Sequence, residues 1–122
     1  MRVRTLTLLA VVASALAGCG DAGAPVRAND TSVTIRLDDY LIRPQELRVP
    51  KGRRLTFTVT NRGRLGHTFR IRTPNHNVFA LTTIEPGETV ERSVRLAAGR
   101  YTMYCALANH EELGMHGTLT VG

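Results

Sequence analysis

The chain has 122 residues, 43% of them hydrophobic and 21% charged, with 16 basic and 10 acidic side chains, two cysteines and no tryptophan. That length holds one domain of ordinary size. The basic residues are scattered singly without interleaved aromatics, which argues against nucleic-acid binding, and two cysteines are too few for a disulfide-stapled scaffold.

Met1-Arg-Val-Arg4 opens with positive charge, Leu6 to Leu16 is a largely apolar run of eleven residues, and Leu16-Ala-Gly-Cys19 closes it with small residues. This layout predicts an export signal over residues 1–18, since the run falls short of the roughly 18 to 20 apolar residues that span a bilayer. The tetrad Leu16-Ala-Gly-Cys19 resembles a bacterial lipobox, which implies lipid on the sulfur of Cys19 and a domain held at a membrane outside the cytoplasm. An ordinary signal cut after Ala15-Leu-Ala17 is the alternative, and it too exports the domain. Without Arg2 and Arg4 the chain keeps 14 basic and 10 acidic side chains. With Cys19 committed to lipid, Cys105 has no disulfide partner, and a lone thiol there invites a metal.

Gly20 to Asp30 is small and polar without periodicity, so residues 19–30 are expected to form a flexible tether. Fully stretched, its eleven residues after Cys19 reach at most about 36 to 40 Å.

From Thr31 the apolar residues recur with period two. Val33, Ile35 and Leu37 alternate with polar neighbours, as do Leu55, Phe57 and Val59, and as do Val90, Val94 and Leu96 with Arg92 out of phase. Such runs predict half-buried strands. Pro50-Lys-Gly52, Asn61-Arg-Gly63, Pro86-Gly87 and Ala98-Gly99 punctuate them, in the rhythm of an all-β antiparallel sandwich or barrel over residues 31–122. The same alternation puts Tyr101, Met103 and Cys105 on one face of a strand and His67, Phe69 and Ile71 on one face of another. Two strand ends then meet at one pole, with residues 106–117 looping over it and bringing His110 and Met115 into reach.

A thiolate, two imidazoles and a thioether form a soft ligand set that suits copper. A trigonal arrangement of two imidazoles and one thiolate with a weak axial thioether is a compromise between the geometries of the two copper oxidation states, which suits one-electron transfer. Zinc on one cysteine and two histidines is the competing reading, but a thioether is a poor zinc ligand and no carboxylate is placed as a general base. Glu111 and Glu112 read as loop surface, and His76 and His116 as solvated. A binuclear copper centre lacks its second thiolate.

Cys105-x4-His110-x4-Met115 followed by Gly117-Thr-Leu-Thr-Val121, with Asn61-Arg-Gly-Arg-Leu-Gly-His67 and Arg43-Pro-Gln-Glu-Leu-Arg-Val-Pro-Lys-Gly52 upstream, resembles the cupredoxins, the blue type 1 copper proteins. The resemblance covers about residues 31 to 122. It implies a Greek-key β-sandwich, with His67 and His110 as imidazole ligands, Cys105 as thiolate and Met115 as axial thioether. The Gly66 carbonyl is a further axial candidate. Two departures stand out: Thr68 follows the first histidine where many members have Asn, and Ala106-Leu-Ala-Asn109 replaces a segment that often contains Pro. The resemblance further implies a monomeric, non-enzymatic carrier of single electrons between redox proteins such as a cytochrome and a terminal oxidase or reductase. Copper storage or delivery is the alternative, although only three methionines are available for it. The second histidine of such proteins emerges within an apolar patch. Here Ala106, Leu107, Ala108 and Leu113 would form it, rimmed by Arg62, Arg64, Glu111 and Glu112.

Overall fold

Alternating side chains become two facing sheets in the computed structural model, which describes residues 26–28 and 31–122. The expected export signal and Cys19 lie outside the described residues. Among the described residues there are ten strands and no helix: β1 (Val26–Arg27), β2 (Ser32–Asp38), β3 (Leu41–Arg43), β4 (Glu46–Val49), β5 (Arg54–Asn61), β6 (His67–Arg72), β7 (Asn77–Ile84), β8 (Thr89–Arg95), β9 (Gly99–Tyr104) and β10 (His116–Val121). One sheet has the order β1-β4-β10-β9-β6-β7 and the other β3-β2-β5-β8.

The period-two residues face inward as the pattern requires. Val33, Ile35, Leu37, Leu55, Phe57 and Val59 are buried from the four-stranded sheet, and Phe69, Ile71, Leu81, Met103 and Leu119 from the other. Phe57 meets Phe69 and Phe79 across the gap, with ring centroids 5.9 and 5.3 Å apart, and Phe69 and Phe79 lie 6.1 Å apart. Each such aromatic pair adds about 0.5–1.5 kcal/mol beyond the area it buries, so this triangle ties the sheets together at mid-height. β8 is an edge strand, and its Val90 and Val94 are only half-buried.

Three features depart from the sequence reading. The sheets are mixed rather than antiparallel throughout: β2 runs parallel to β5, β4 to β10 and β1 to β4. The chain leaves one sheet after β3 and enters the other at β4, so β5 returns beside β2 in the same direction. Period two fixes which face a residue takes and carries no information on strand direction. Secondly, Val26–Arg27 pairs with Leu47–Arg48, and the N–H of Ala28 donates to the Arg48 carbonyl at 3.0 Å, so the domain begins inside the expected tether. A two-residue strand is too short to show a period. Thirdly, β7 is an additional strand that the pattern does not reveal, because Thr82 and Thr83 break its alternation. His67 faces Ile84 and Phe69 faces Leu81, which leaves Thr68 alone opposite those two threonines. This is a β-bulge, and such bulges re-aim side chains beside functional sites.

Candidate metal centre

The first candidate ligand opens β6, and the loop before it is held from within. Asn61 is fully buried at the end of β5. Its Nδ2 donates to the carbonyls of Leu65 and Ile84, both at 2.8 Å, and its Oδ1 accepts the N–H of Gly63 at 2.9 Å. The loop is also held from outside by Asp39, in the turn after β2. The Asp39 carboxylate accepts the N–H groups of Arg64 at 3.0 Å and Leu65 at 3.2 Å, and its Oδ1 lies 3.0 Å from Nε2 of His67. A Cβ on Gly63 would collide with Oδ1 of Asp39 and come within 3.0 Å of Nε2 of His67, so the contact requires glycine there.

This arrangement assigns the tautomer of His67. The hydrogen bond to His67, and next the one from the Arg64 N–H, hold the Asp39 carboxyl below its usual range, so it is an ionised acceptor. Nε2 of His67 therefore carries the proton, and the Nδ1 lone pair faces inward. Histidine ligands are commonly fixed in this way by a carboxylate behind the ring.

Cys105 follows β9 and is 1% exposed. Its Sγ accepts the backbone N–H of Thr68 at 3.4 Å and the Thr68 hydroxyl at 3.7 Å. The same hydroxyl oxygen accepts the N–H of Ala106 at 2.8 Å. Thr68 thus joins the two ligand-bearing segments with backbone and side chain, the task that Asn performs in many proteins of the resemblance.

The loop after Cys105 is wound into turns. His110 N–H donates to the Leu107 carbonyl at 3.0 Å, Met115 N–H to the His110 carbonyl at 3.0 Å, and Cys105 N–H to the Met115 carbonyl at 3.2 Å. Met115 is fully buried at its end. Glu111 is not free loop surface as expected: it is half-buried and accepts both terminal nitrogens of the Arg72 guanidinium, at 3.0 Å for Nη1. Arg72 lies 4.1 Å over the Tyr104 ring, whose hydroxyl donates to Asn77 Oδ1 at 2.7 Å. Glu112, His76 and His116 are exposed, as read from the sequence.

The structure brings His67, Cys105 and His110 together, with one donor atom of each within 4.8 Å of the others. Nδ1 of His67 and Nδ1 of His110 are 3.2 Å apart, and Cys105 Sγ is 3.6 Å from Nδ1 of His110. Ligands at about 2.0 Å (imidazole) and 2.3 Å (thiolate) from one ion and 120° apart would be separated by roughly 3.5 and 3.8 Å. The gaps fit a trigonal site of two imidazole nitrogens and one thiolate sulfur, and with Met115 alongside, the four side chains are positioned as a copper site.

Asp39 and Tyr40 were missed in the sequence, and Asn61 was read only as part of the turn leading to His67. Tyr40 has φ +61° and sets its ring edge-on to His110 with centroids 5.1 Å apart. An Asp-Asp-Tyr turn between two apolar runs was the available signal, and it reads equally well as a plain turn. Leu107 is half-buried and packs one side against the core. The large exposed apolar side chains at this end are Tyr40, Leu65 and Leu113, at 38%, 41% and 52%, and Ala106 and Ala108 are exposed as well. The axial candidate Gly66 has a steric reason to be glycine, because a Cβ would lie 3.1 Å from Cγ2 of Thr83.

The fold is shared with solved blue copper proteins. Auracyanin from Roseiflexus castenholzii superposes with a TM-score of 0.70 at 20% identity, covering 76% of this chain and 98% of that one. Rusticyanin from Thiobacillus ferrooxidans gives 0.65 at 19% identity, covering 83% and 84%. A multicopper oxidase gives 0.59 at 20% identity over 74% of this chain and only 41% of its own. Comparison with curated protein sequences found no match. The model of the cupredoxin-like domain matches residues 6–121, nearly the whole sequence, and with the fold and the four side chains in place the chain belongs to the cupredoxin-like family.

Proposed function

We propose that this protein is a mononuclear type 1 copper electron carrier that works outside the cytoplasm and is not itself an enzyme. The observation that carries this reading is the convergence of Nδ1 of His67, Nδ1 of His110 and Sγ of Cys105 at trigonal spacing, on segments braced by the protein's own hydrogen bonds. Bound copper would supply the one-electron chemistry. The chain's own residues hold the geometry: Asp39 fixes His67, Thr68 donates to the thiolate, and the turn bonds of residues 107–115 limit the movement of His110 and Met115. A site that rearranges little loses little energy when an electron moves.

Electrons enter and leave by His110, whose ring is partly exposed and flanked by Tyr40. The apolar side chains of Tyr40, Leu65 and Leu113 suit brief docking of a redox protein such as a cytochrome or a terminal oxidase or reductase, with Arg62, Arg64 and Glu112 as rim charges that act on encounter rate more than on affinity. Lipid on Cys19 would keep the domain at a membrane. Titration of the purified apo-protein with Cu(II) tests the metal assignment: an intense blue or green charge-transfer band saturating at one equivalent supports it. A colourless complex, or tighter binding of Zn(II) without colour, refutes it. Reduction and reoxidation of the band by a cytochrome in stopped flow then separates a carrier from a storage protein.

A further inference from the structure

Charge is divided along the long axis of the domain. At the end opposite the metal centre, one turn joins β4 to β5 and another joins β8 to β9, and Lys51, Arg53, Arg54, Arg95 and Arg100 are all exposed there. Arg54 is registered directly opposite Arg95, and Arg48 and Arg100 flank Thr120 on a single rung. Like charges placed opposite one another weaken a sheet, so folding gives no reason for this arrangement. Among the described residues none of these side chains forms an ion pair; of the basic residues elsewhere, Arg36 and Arg43 reach Asp38 and Arg72 reaches Glu111, while Arg62 and Arg64 are likewise without a carboxylate partner. The described carboxylates lie elsewhere: Asp38 at the end of β2 and Asp39 after it, Glu85 and Glu88 before β8, Glu111 and Glu112 in the ligand loop, Glu46 at the start of β4 and Glu91 within β8.

The basic end is also blunt. Its turns expose Gly52, Ala97, Ala98 and Gly99, and its one aromatic, Tyr101, is buried with its hydroxyl donating to the Ala97 carbonyl at 2.7 Å. Among the described residues no ring there is available for stacking on nucleic-acid bases, and Val26, on the neighbouring β1, is the one large apolar side chain exposed nearby. A flat, unpaired cationic surface complements a flat anionic one. The chain enters the domain at Val26, seven residues after Cys19, a reach of at most about 25 Å.

We propose that this end of the domain binds the anionic headgroups of a lipid bilayer, so that the metal centre points away from the membrane. The inference does not depend on the metal assignment, and lipid on Cys19 would only raise the local concentration. Residues 26–122 are suitable for the test, because among the described residues every buried core residue lies between Val33 and Val121. This piece is sedimented at low salt with vesicles of phosphatidylcholine containing about a third phosphatidylglycerol. Each basic residue brought to such a surface improves partitioning about five-fold, so Arg54→Gln with Arg95→Gln is expected to weaken binding about 25-fold. Arg62→Gln with Arg64→Gln changes net charge equally at the metal end and is expected to alter it less than about two-fold. Binding should also fall as salt is raised. Equal losses from the two pairs would reduce the effect to net charge and overturn the proposal. So would absence of vesicle binding by a protein whose near-ultraviolet circular dichroism shows it folded, or retention on an acidic protein or nucleic acid in place of vesicles.

Discussion

Thr68→Val isolates the polar link between the two ligand-bearing segments. Valine nearly matches threonine in shape and leaves no cavity at a side chain that is 3% exposed, so the change removes the hydroxyl alone. The Ala106 N–H loses its acceptor at 2.8 Å and Cys105 Sγ loses its donor at 3.7 Å, while the backbone N–H of Thr68 still reaches the sulfur. A buried donor left unpaired costs about 1–3 kcal/mol. The Ala106 group is only part-buried and water can satisfy some of it, so about 1–2 kcal/mol is expected in the apo-protein. For a domain near 100 residues that is a fall in Tm of roughly 5–15 °C. Loss of the weaker bond to sulfur leaves the thiolate a better electron donor, which favours the oxidised metal and lowers the reduction potential. Thr68→Ser keeps both bonds and should stay close to the parent in potential. Calorimetry of the apo-proteins and voltammetry of the copper forms measure the two effects, and a Val variant as stable as the parent would show that the hydroxyl does not join these segments.

Cys105→Ser should abolish the intense charge-transfer band while circular dichroism stays that of a folded sandwich, because the core of both sheets is buried without the metal; a band that survives excludes Cys105 as the thiolate ligand. Met115→Leu should raise the potential and Met115→Gln lower it, since leucine removes a donor and glutamine offers a harder oxygen; three equal potentials by voltammetry would exclude an axial role. Asp39 is held below its usual carboxylate range by His67 and the Arg64 N–H, so it stabilises the apo-fold fully above the unfolded carboxyl value and loses that contribution as pH falls through its lowered folded value. Asp39→Asn should therefore flatten the acid limb of apo-protein stability, and denaturant midpoints that decline with acid as in the parent would count against the contact. Cys19→Ala should shift the protein from the membrane to the soluble fraction without altering the copper spectrum.

Much of the site was legible because ligand chemistry is written in residue type and spacing. Cys105, His110 and Met115 lie on one short loop, and period two put both Cys105 and His67 on inward faces at strand ends. What supports them was not legible. Asp39 and His67 are 28 residues apart and come from different sheets, and a turn aspartate looks the same whether it faces water or an imidazole. Thr68 stands where many members have Asn; only the folded chain shows its N–H and hydroxyl meeting Cys105 and Ala106. Likewise, local alternation identified β2, β5, β6, β8 and β9 but could not show that β2 and β5 run parallel, since strand direction is set by where the chain crosses between sheets.

The Asp39–His67 contact makes the metal centre a clasp between two layers. Asp39 belongs to the turn after β2 in the four-stranded sheet, while His67 and Cys105 belong to the six-stranded one. A metal held by His67 would add one more link between the sheets at this pole, through the Asp39 contact behind the ring. Lengthening the β2–β3 turn by one residue, far from any ligand in sequence, would then be felt first as a loosened metal and only afterwards as a weakened fold.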